Sequence, residues 1–167
     1  MQSCMNKLLK LMAIVSTCII SIDAGDIDKT IIATKHNTHL TLGEIAEIQP
    51  GLGTIMVEFG HRYYVAYYAA KANNWELADY EIHELIEAQE VAEATRPKYT
   101  KDLKAFEHGA IAQLQKTIKA KNWKQFEVKY AETTKACNAC HTKNGHSYIQ
   151  YRLPKEAPKY LRMELFK

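Results

Sequence analysis

NWKQFEVKYAETTKACNACHTKNG, residues 122–145, is the stretch on which the reading of the chain turns. Asn122 is a good helix cap, with Gln125 at the third helical position. Apolar or small side chains then recur at Trp123, Phe126, Tyr130, Thr133 and Cys137, three and four residues apart. That spacing is one face of an α-helix. Asn144-Gly145 is a natural helix stop. Cys137, Cys140 and His141 stand at i, i+3 and i+4, so they share the face that the apolar stripe occupies.

Working outward, three more long helical patterns precede this one. The first runs from about Pro50 to Asn73, with Leu52, Ile55, Met56, Phe59, Tyr63, Ala66, Tyr67 and Ala70 as its stripe. The second runs from Trp75 to about Thr95. Asn74 caps it, Ala78, Ile82, Leu85, Ile86 and Ala92 mark its buried face, and Arg96-Pro97 ends it. The third covers roughly Pro97 to Lys121, with Tyr99, Leu103, Phe106, Ala110, Leu114 and Ile118 on the stripe. Short connections make neighbours antiparallel, so residues 50–146 read as an all-α, up-down-up-down four-helix bundle. The turn Lys71-Ala72-Asn73-Asn74-Trp75 resembles Lys119-Ala120-Lys121-Asn122-Trp123, 48 residues later. This fits an ancestral duplication or one turn solved twice.

The ends read differently. Lys7 and Lys10 followed by the apolar run Leu11 to Ile22, with Ala24 at a cleavage point, read as a signal peptide over residues 1–24. Met5 is an alternative start. The run is short for a membrane span, and no later stretch could make one. Val15-Ser16-Thr17-Cys18 resembles a lipobox only vaguely, since Thr17 is a poor residue before the cysteine. Residues 25–49 read as a flexible or extended lead-in, with a short helix from Thr41 to Ile48 that Thr41 caps and Glu44 boxes. Residues 147–167 read as an irregular tail with at most one terminal helical turn.

Cysteine usage sharpens this. Cys4 and Cys18 fall in the leader, so an exported mature chain keeps only Cys137 and Cys140. One close pair is not a disulfide framework. Cys137-Asn138-Ala139-Cys140-His141 fits the C-x-x-C-H pattern of covalent haem c attachment. Two thiols add to the two porphyrin vinyl groups, and the histidine meets the iron from the same side. A thioredoxin-like redox pair would need a βαβ setting. A zinc site would need further matched ligands, for which His146 is a poor candidate. An incidental disulfide is the remaining reading.

A C-x-x-C-H near the end of the last helix of an exported four-helix bundle resembles the class II c-type cytochromes, the cytochrome c′ and c-556 group. The resemblance covers roughly residues 50–146. It implies one covalent haem c held by Cys137 and Cys140, with His141 as proximal iron ligand. It also implies either a distal methionine from early in the first helix or an empty distal position. Met56 matches the methionine position, although a core-stripe methionine is usually packing alone. The sequence departs from the group after the motif: Thr142-Lys143-Asn144-Gly145-His146 follows where a tyrosine-arginine pair is common, and Tyr151-Arg152 comes late. The long lead-in and the basic tail are further departures.

These features predict a periplasmic carrier of single electrons between redox partner proteins, not an enzyme. The alternative is binding or sensing of nitric oxide or carbon monoxide at a five-coordinate haem. The distal stripe offers no obvious acid–base residue, with Glu58 and His61 displaced from it. A net charge of +3 (+2 once residues 1–24 are removed) and no aromatic-basic pattern give no reason to expect nucleic acid. Bundles of the resembled type often dimerise through their first two helices, which the tyrosine-rich first helix would allow. His61 and His108 read as solvated, His83 as the edge of its stripe, and His146 as a helix cap or propionate partner. Arg152, Lys155, Lys159, Arg162 and Lys167 make a modest basic cluster able to steer an acidic partner.

Overall fold

The computed structural model describes residues 27–33 and 39–165. The expected leader, its lipobox and cleavage site, and His36 lie outside the described residues. The described chain is mostly helical, with one small sheet. It falls into two compact units that divide between Gln49 and Pro50.

In the first unit the lead-in takes the extended form, as a small paired sheet rather than an irregular segment. Strand β1 (Ile31–Ala33) pairs antiparallel with β2 (His39–Thr41), in the register Ile31 to Thr41 and Ala33 to His39. The β-branched pair Ile31-Ile32 favours the extended backbone. Helix α1 (Leu42–Glu47) follows, and its capping box is complete. Thr41 Oγ1 accepts from the Glu44 amide at 3.1 Å, and Glu44 returns a carboxylate to the Thr41 amide at 2.7 Å. The bond from the Thr41 amide, and a second from the Thr41 hydroxyl at 3.0 Å, hold the Glu44 carboxyl below the usual carboxylate range.

The second unit holds the long helices. Helix α2 (Leu52–Lys71) packs along α3 (Trp75–Thr95). A 3₁₀ turn at Pro97–Tyr99 leads into α4 (Thr100–Phe106), a π turn at Glu107–Ile111, and α5 (Ala112–Lys119). Helix α6 (Trp123–Lys143) packs on α5, α4 and α2. Among the described residues no helix is long and apolar enough to cross a membrane.

The two similar turns prove to be one structure made twice. Asn73 and Lys121 both take positive φ, 63° and 49°. The amide of Asn74 reaches the Ala69 carbonyl at 2.8 Å, and that of Asn122 reaches Thr117 at 3.1 Å. Asn74 and Asn122 then cap α3 and α6 through the amides of Leu77 and Gln125, each at 3.1 Å.

Four of the expected core stripes hold in outline, with one shift. Phe59, Tyr63, Ala66 and Ala70 of α2 meet Ala78, Ile82 and Leu85 of α3, Leu114 and Ile118 of α5, and Phe126 and Tyr130 of α6. In the third helical segment Ile111, fully buried, replaces the expected Ala110. On a straight α-helix Leu103 and Ile111 would stand about 80° apart. The wider π turn between them removes that offset and points both inward. The carbonyl of Ala110 accepts instead from Thr133 Oγ1 of α6, at 3.4 Å.

Helix α3 also buries polar groups that an apolar-stripe reading passes over. Glu81 is 3 % exposed and pairs with Arg62 at 3.1 Å, while Arg62 also holds Glu58 at 2.7 Å. Removing one partner of a buried pair leaves an uncompensated charge. Arg62→Ala is therefore expected to cost about 3 kcal/mol, read by denaturant unfolding of the full chain. Arg62→Ala combined with Glu81→Leu should recover most of that loss; if it does not, the pair is not the source of the effect.

The tail is irregular, as expected, but among the described residues it has no helical turn, and it is not loose. Met163 is 5 % exposed within the main core cluster. Tyr68 and Tyr64 donate from α2 to the carbonyls of Pro154 and Glu156, each at 2.8 Å. His61, expected to be solvated, lies within 2.9 Å of the Tyr160 hydroxyl and is stacked near its ring. His108 and His83 are exposed on the surface, where His83 stands 3.2 Å from Glu87.

Candidate functional site

Helix α6 carries Cys137, Cys140 and His141 in its last two turns, and all three are partly buried. Gly145, with φ +82°, turns the chain out of the helix. The His146 amide caps the end on the His141 carbonyl at 2.8 Å. So the expected capping role of His146 is met by its backbone. Its ring Nδ1 instead meets the Tyr148 hydroxyl at 3.1 Å.

Both cysteines are free thiols. Burial pushes the Cys137 thiol up to about 12. Cys137 lies in the neighbourhood of Tyr63, Tyr130 and Tyr151. Cys140 is raised as well, by burial first and by the Asp102 carboxylate second. Asn144 Nδ2 approaches its Sγ at 3.6 Å. Asp102 of α4 ties the helix end down, with Lys143 Nζ at 2.6 Å and Asn144 Nδ2 at 3.1 Å. Those two hydrogen bonds hold Asp102 below the usual carboxylate range.

Raised thiols make poor nucleophiles, because the thiolate is the reactive form. In the haem-free chain at neutral pH, iodoacetamide should modify Cys137 far more slowly than an unfolded cysteine, with Cys140 intermediate. The Cys137 rate should climb only as pH moves well above the ordinary thiol range. Peptide mass spectrometry across pH reads this; a Cys137 rate equal to that of the denatured chain would contradict it.

The environment of His141 is specific. Its Nδ1 lies 2.9 Å from the carbonyl of Ile149. A carbonyl only accepts, so Nδ1 carries the proton, and in the neutral ring Nε2 keeps the lone pair. Asn138, between the two cysteines, grips the tail at two points: its Oδ1 accepts from the Tyr151 amide at 2.7 Å, and its Nδ2 donates to the Tyr151 carbonyl at 3.2 Å.

Behind the motif stands a block of tyrosines. The rings of Tyr63 and Tyr130 stack at 4.0 Å and 3°. Tyr63 donates to the Tyr130 carbonyl at 2.6 Å, and Tyr130 donates back to the Tyr63 carbonyl at 3.2 Å. The Tyr151 hydroxyl is 2.8 Å from that of Tyr130. Thus Tyr151, late in the sequence, returns to the motif in space.

Met56, on α2, is half-buried and packs against a smaller cluster of Ile55, Ala92 and Leu103, as do Leu52, Ala88 and Tyr99. Leu103 neighbours Asp102 in sequence, so this cluster and the end of α6 share one end of the unit. Near it Gln89 is 1 % exposed, donating to Glu93 at 2.9 Å and to the Leu103 carbonyl at 3.0 Å. Its Oε1 is buried with no hydrogen-bond partner. Among the described residues, no group of three or more His, Cys, Asp and Glu could hold a metal ion.

Sequence reading missed Asn138, Asp102, Gln89 and Tyr151. Asn138 had a faint signal, since asparagine is a poor residue inside a helix. Comparison with protein-family models, curated proteins and solved structures gives no match.

Proposed function

We propose that this chain is an exported monohaem c-type cytochrome that transfers single electrons, built as an antiparallel four-helix bundle of the class II kind. One observation carries the reading. Two free thiols and a histidine with its Nε2 lone pair available stand at i, i+3 and i+4 at the end of α6. That donor set fits haem c: two thioether positions and one nitrogen ligand to iron. When bound, the haem supplies a one-electron redox centre.

The chain's own residues have distinct tasks in this reading. Cys137 and Cys140 would each add across one vinyl group, the sulfur bonding one vinyl carbon and the thiol hydrogen going to the other. His141 Nε2 is the proximal nitrogen. The Tyr63–Tyr130–Tyr151 block keeps water from the Cys137 side. Met56, on α2 at the same end as the motif, is the proposed distal ligand. The leader and the close cysteine pair favour the periplasm, where a redox partner protein would exchange electrons, steered by the basic tail. A homodimer through α2 and α3 is compatible with this reading.

A second reading, gas binding at a five-coordinate haem, is favoured by the packing of Met56 against the apolar side chains of Ile55, Ala92 and Leu103. The visible spectrum of the mature chain, made with haem-attachment machinery, tests both. A low-spin spectrum lost in Met56→Ala supports electron transfer. A high-spin spectrum that shifts with carbon monoxide moves the function to gas binding. No covalent pigment at all would reject the proposal.

A further inference from the structure

We propose that residues 145–151 form a positioning strap that sets the proton of His141 and so tunes the nitrogen it offers to iron. The inference rests on the reading of His141 as an iron ligand. It goes beyond that reading by assigning a role to Asn138 and to a segment far from the motif in composition and pattern.

The geometry is a closed circuit. Gly145 reverses the chain out of α6. The amide of Ile149 then donates to the His146 carbonyl at 2.9 Å, forming a turn. This turn brings the Ile149 carbonyl to His141 Nδ1 at 2.9 Å. Two residues on, Tyr151 is held through both its amide and its carbonyl by Asn138. Asn138 and His141 are three apart on a helix and so share a face, and residues 149 and 151 of the tail meet that face. The strap is tied inside the motif itself.

The far side of the strap is anchored independently. Tyr151 meets Tyr130 through hydroxyls 2.8 Å apart and sets its ring edge-on to Tyr63 at 5.2 Å. Its ring also lies 3.9 Å from where a side chain on Gly60 would begin, so glycine there lets the strap sit close to α2. Beyond it, Pro154 and Glu156 are held by Tyr68 and Tyr64. A segment tied on both sides fixes where its carbonyls point. The penalty of asparagine inside a helix is thereby explained by the two hydrogen bonds it makes.

A histidine that donates its other N–H to a carbonyl has a fixed tautomer and a more basic ligand nitrogen. More basic nitrogen stabilises ferric over ferrous iron. Loosening the strap should therefore raise the reduction potential without removing the haem.

The test uses the full chain in two forms. In the haem-free chain, nitrogen NMR of the His141 ring should report a single tautomer, protonated on Nδ1. In Asn138→Ala the ring should shift toward a mixture of tautomers, and Asn138→Asp, which keeps the acceptor for the Tyr151 amide, should restore part of the wild-type signal. In the haem-loaded chain, Asn138→Ala should raise the potential while the covalent pigment remains. Tyr151→Phe, which loosens the strap without touching the motif, should move both readouts the same way and serves if Asn138→Ala fails to fold. A wild-type ring protonated on Nε2, or variants that leave tautomer and potential unchanged, would overturn the strap. Failure to attach haem in the wild type would instead reject the cytochrome reading, and the NMR result would still stand or fall by itself.

Discussion

Replacing both Cys137 and Cys140 with alanine is expected to abolish covalently held haem completely, in a host whose attachment machinery loads the wild-type chain. The measurement is the haem spectrum of the denatured protein, where only a thioether-linked group stays with the polypeptide. Each single substitution should leave one link and a reduced yield. The expectation is strong because the two thiols have no competing partner: they are not joined to each other. Burial keeps Cys137 protonated, and Asn144 is the side chain that approaches Cys140 Sγ, at 3.6 Å. The double variant should still fold without haem, because removing two sulfurs from half-buried positions costs only about 1 kcal/mol each. Loss of pigment with retained helicity would thus localise the effect to attachment. His141→Ala should differ in kind, keeping the covalent link but changing the spectrum to that of an iron lacking its proximal nitrogen. Pigment that survives denaturation in the double variant would show that the motif is not the attachment site.

Tyr63→Ala should produce the largest loss of stability of any single change considered, about 4 kcal/mol. Tyr63 is 1 % exposed at the centre of the main cluster. Truncation removes its ring from the stack with Tyr130 and from the edge contact with Tyr151. It also removes the hydroxyl that reaches the Tyr130 carbonyl and Thr134 Oγ1, at 2.6 Å and 3.2 Å. Tyr63→Phe keeps the ring and should cost only about 1 kcal/mol, the worth of one net hydrogen bond. Urea unfolding of the haem-free chain separates these effects from any cofactor. A double-mutant cycle with Tyr130→Phe should show coupling, since the two rings are stacked and each hydroxyl bonds the other residue's backbone carbonyl. If Tyr63→Ala falls within about 1 kcal/mol of the wild type, the site relaxes and the block is not a rigid wall.

The sequence legible to inspection was the local part. Thr41 with Glu44, Asn74 and Asn122 with Gln125 were all read correctly as caps, because a cap joins a side chain to an amide three residues on. The ends of α3 and α6 followed from Pro97 and from Asn144-Gly145 for the same reason. The apolar stripes fixed which faces turn inward, since burial of one face is imposed by the 3.6 period.

What failed was whatever depends on a distant partner. The pairing of Ile31–Ala33 with His39–Thr41 went unread inside a lead-in taken as flexible or extended, because three-residue strands carry too little pattern to register. The π turn was invisible because its gain comes from aligning Leu103 and Ile111 with other helices, not from Glu107-His108-Gly109 itself. Glu81 and Gln89 look like surface residues until Arg62, Glu93 and the Leu103 carbonyl are placed beside them. The tail has no periodicity, so its path over α2 and α6 had no signal.

By itself, then, the sequence determined the helices, their caps, their inward faces and the common face of Cys137, Cys140 and His141, because each is set by contacts within a few residues. Only the tertiary structure decided that Met56 packs in its own cluster, that Asp102 ties down the end of α6, and that Ile149 and Asn138 fix His141 and the tail. Those depend on the meeting of segments whose separation along the chain no local pattern encodes.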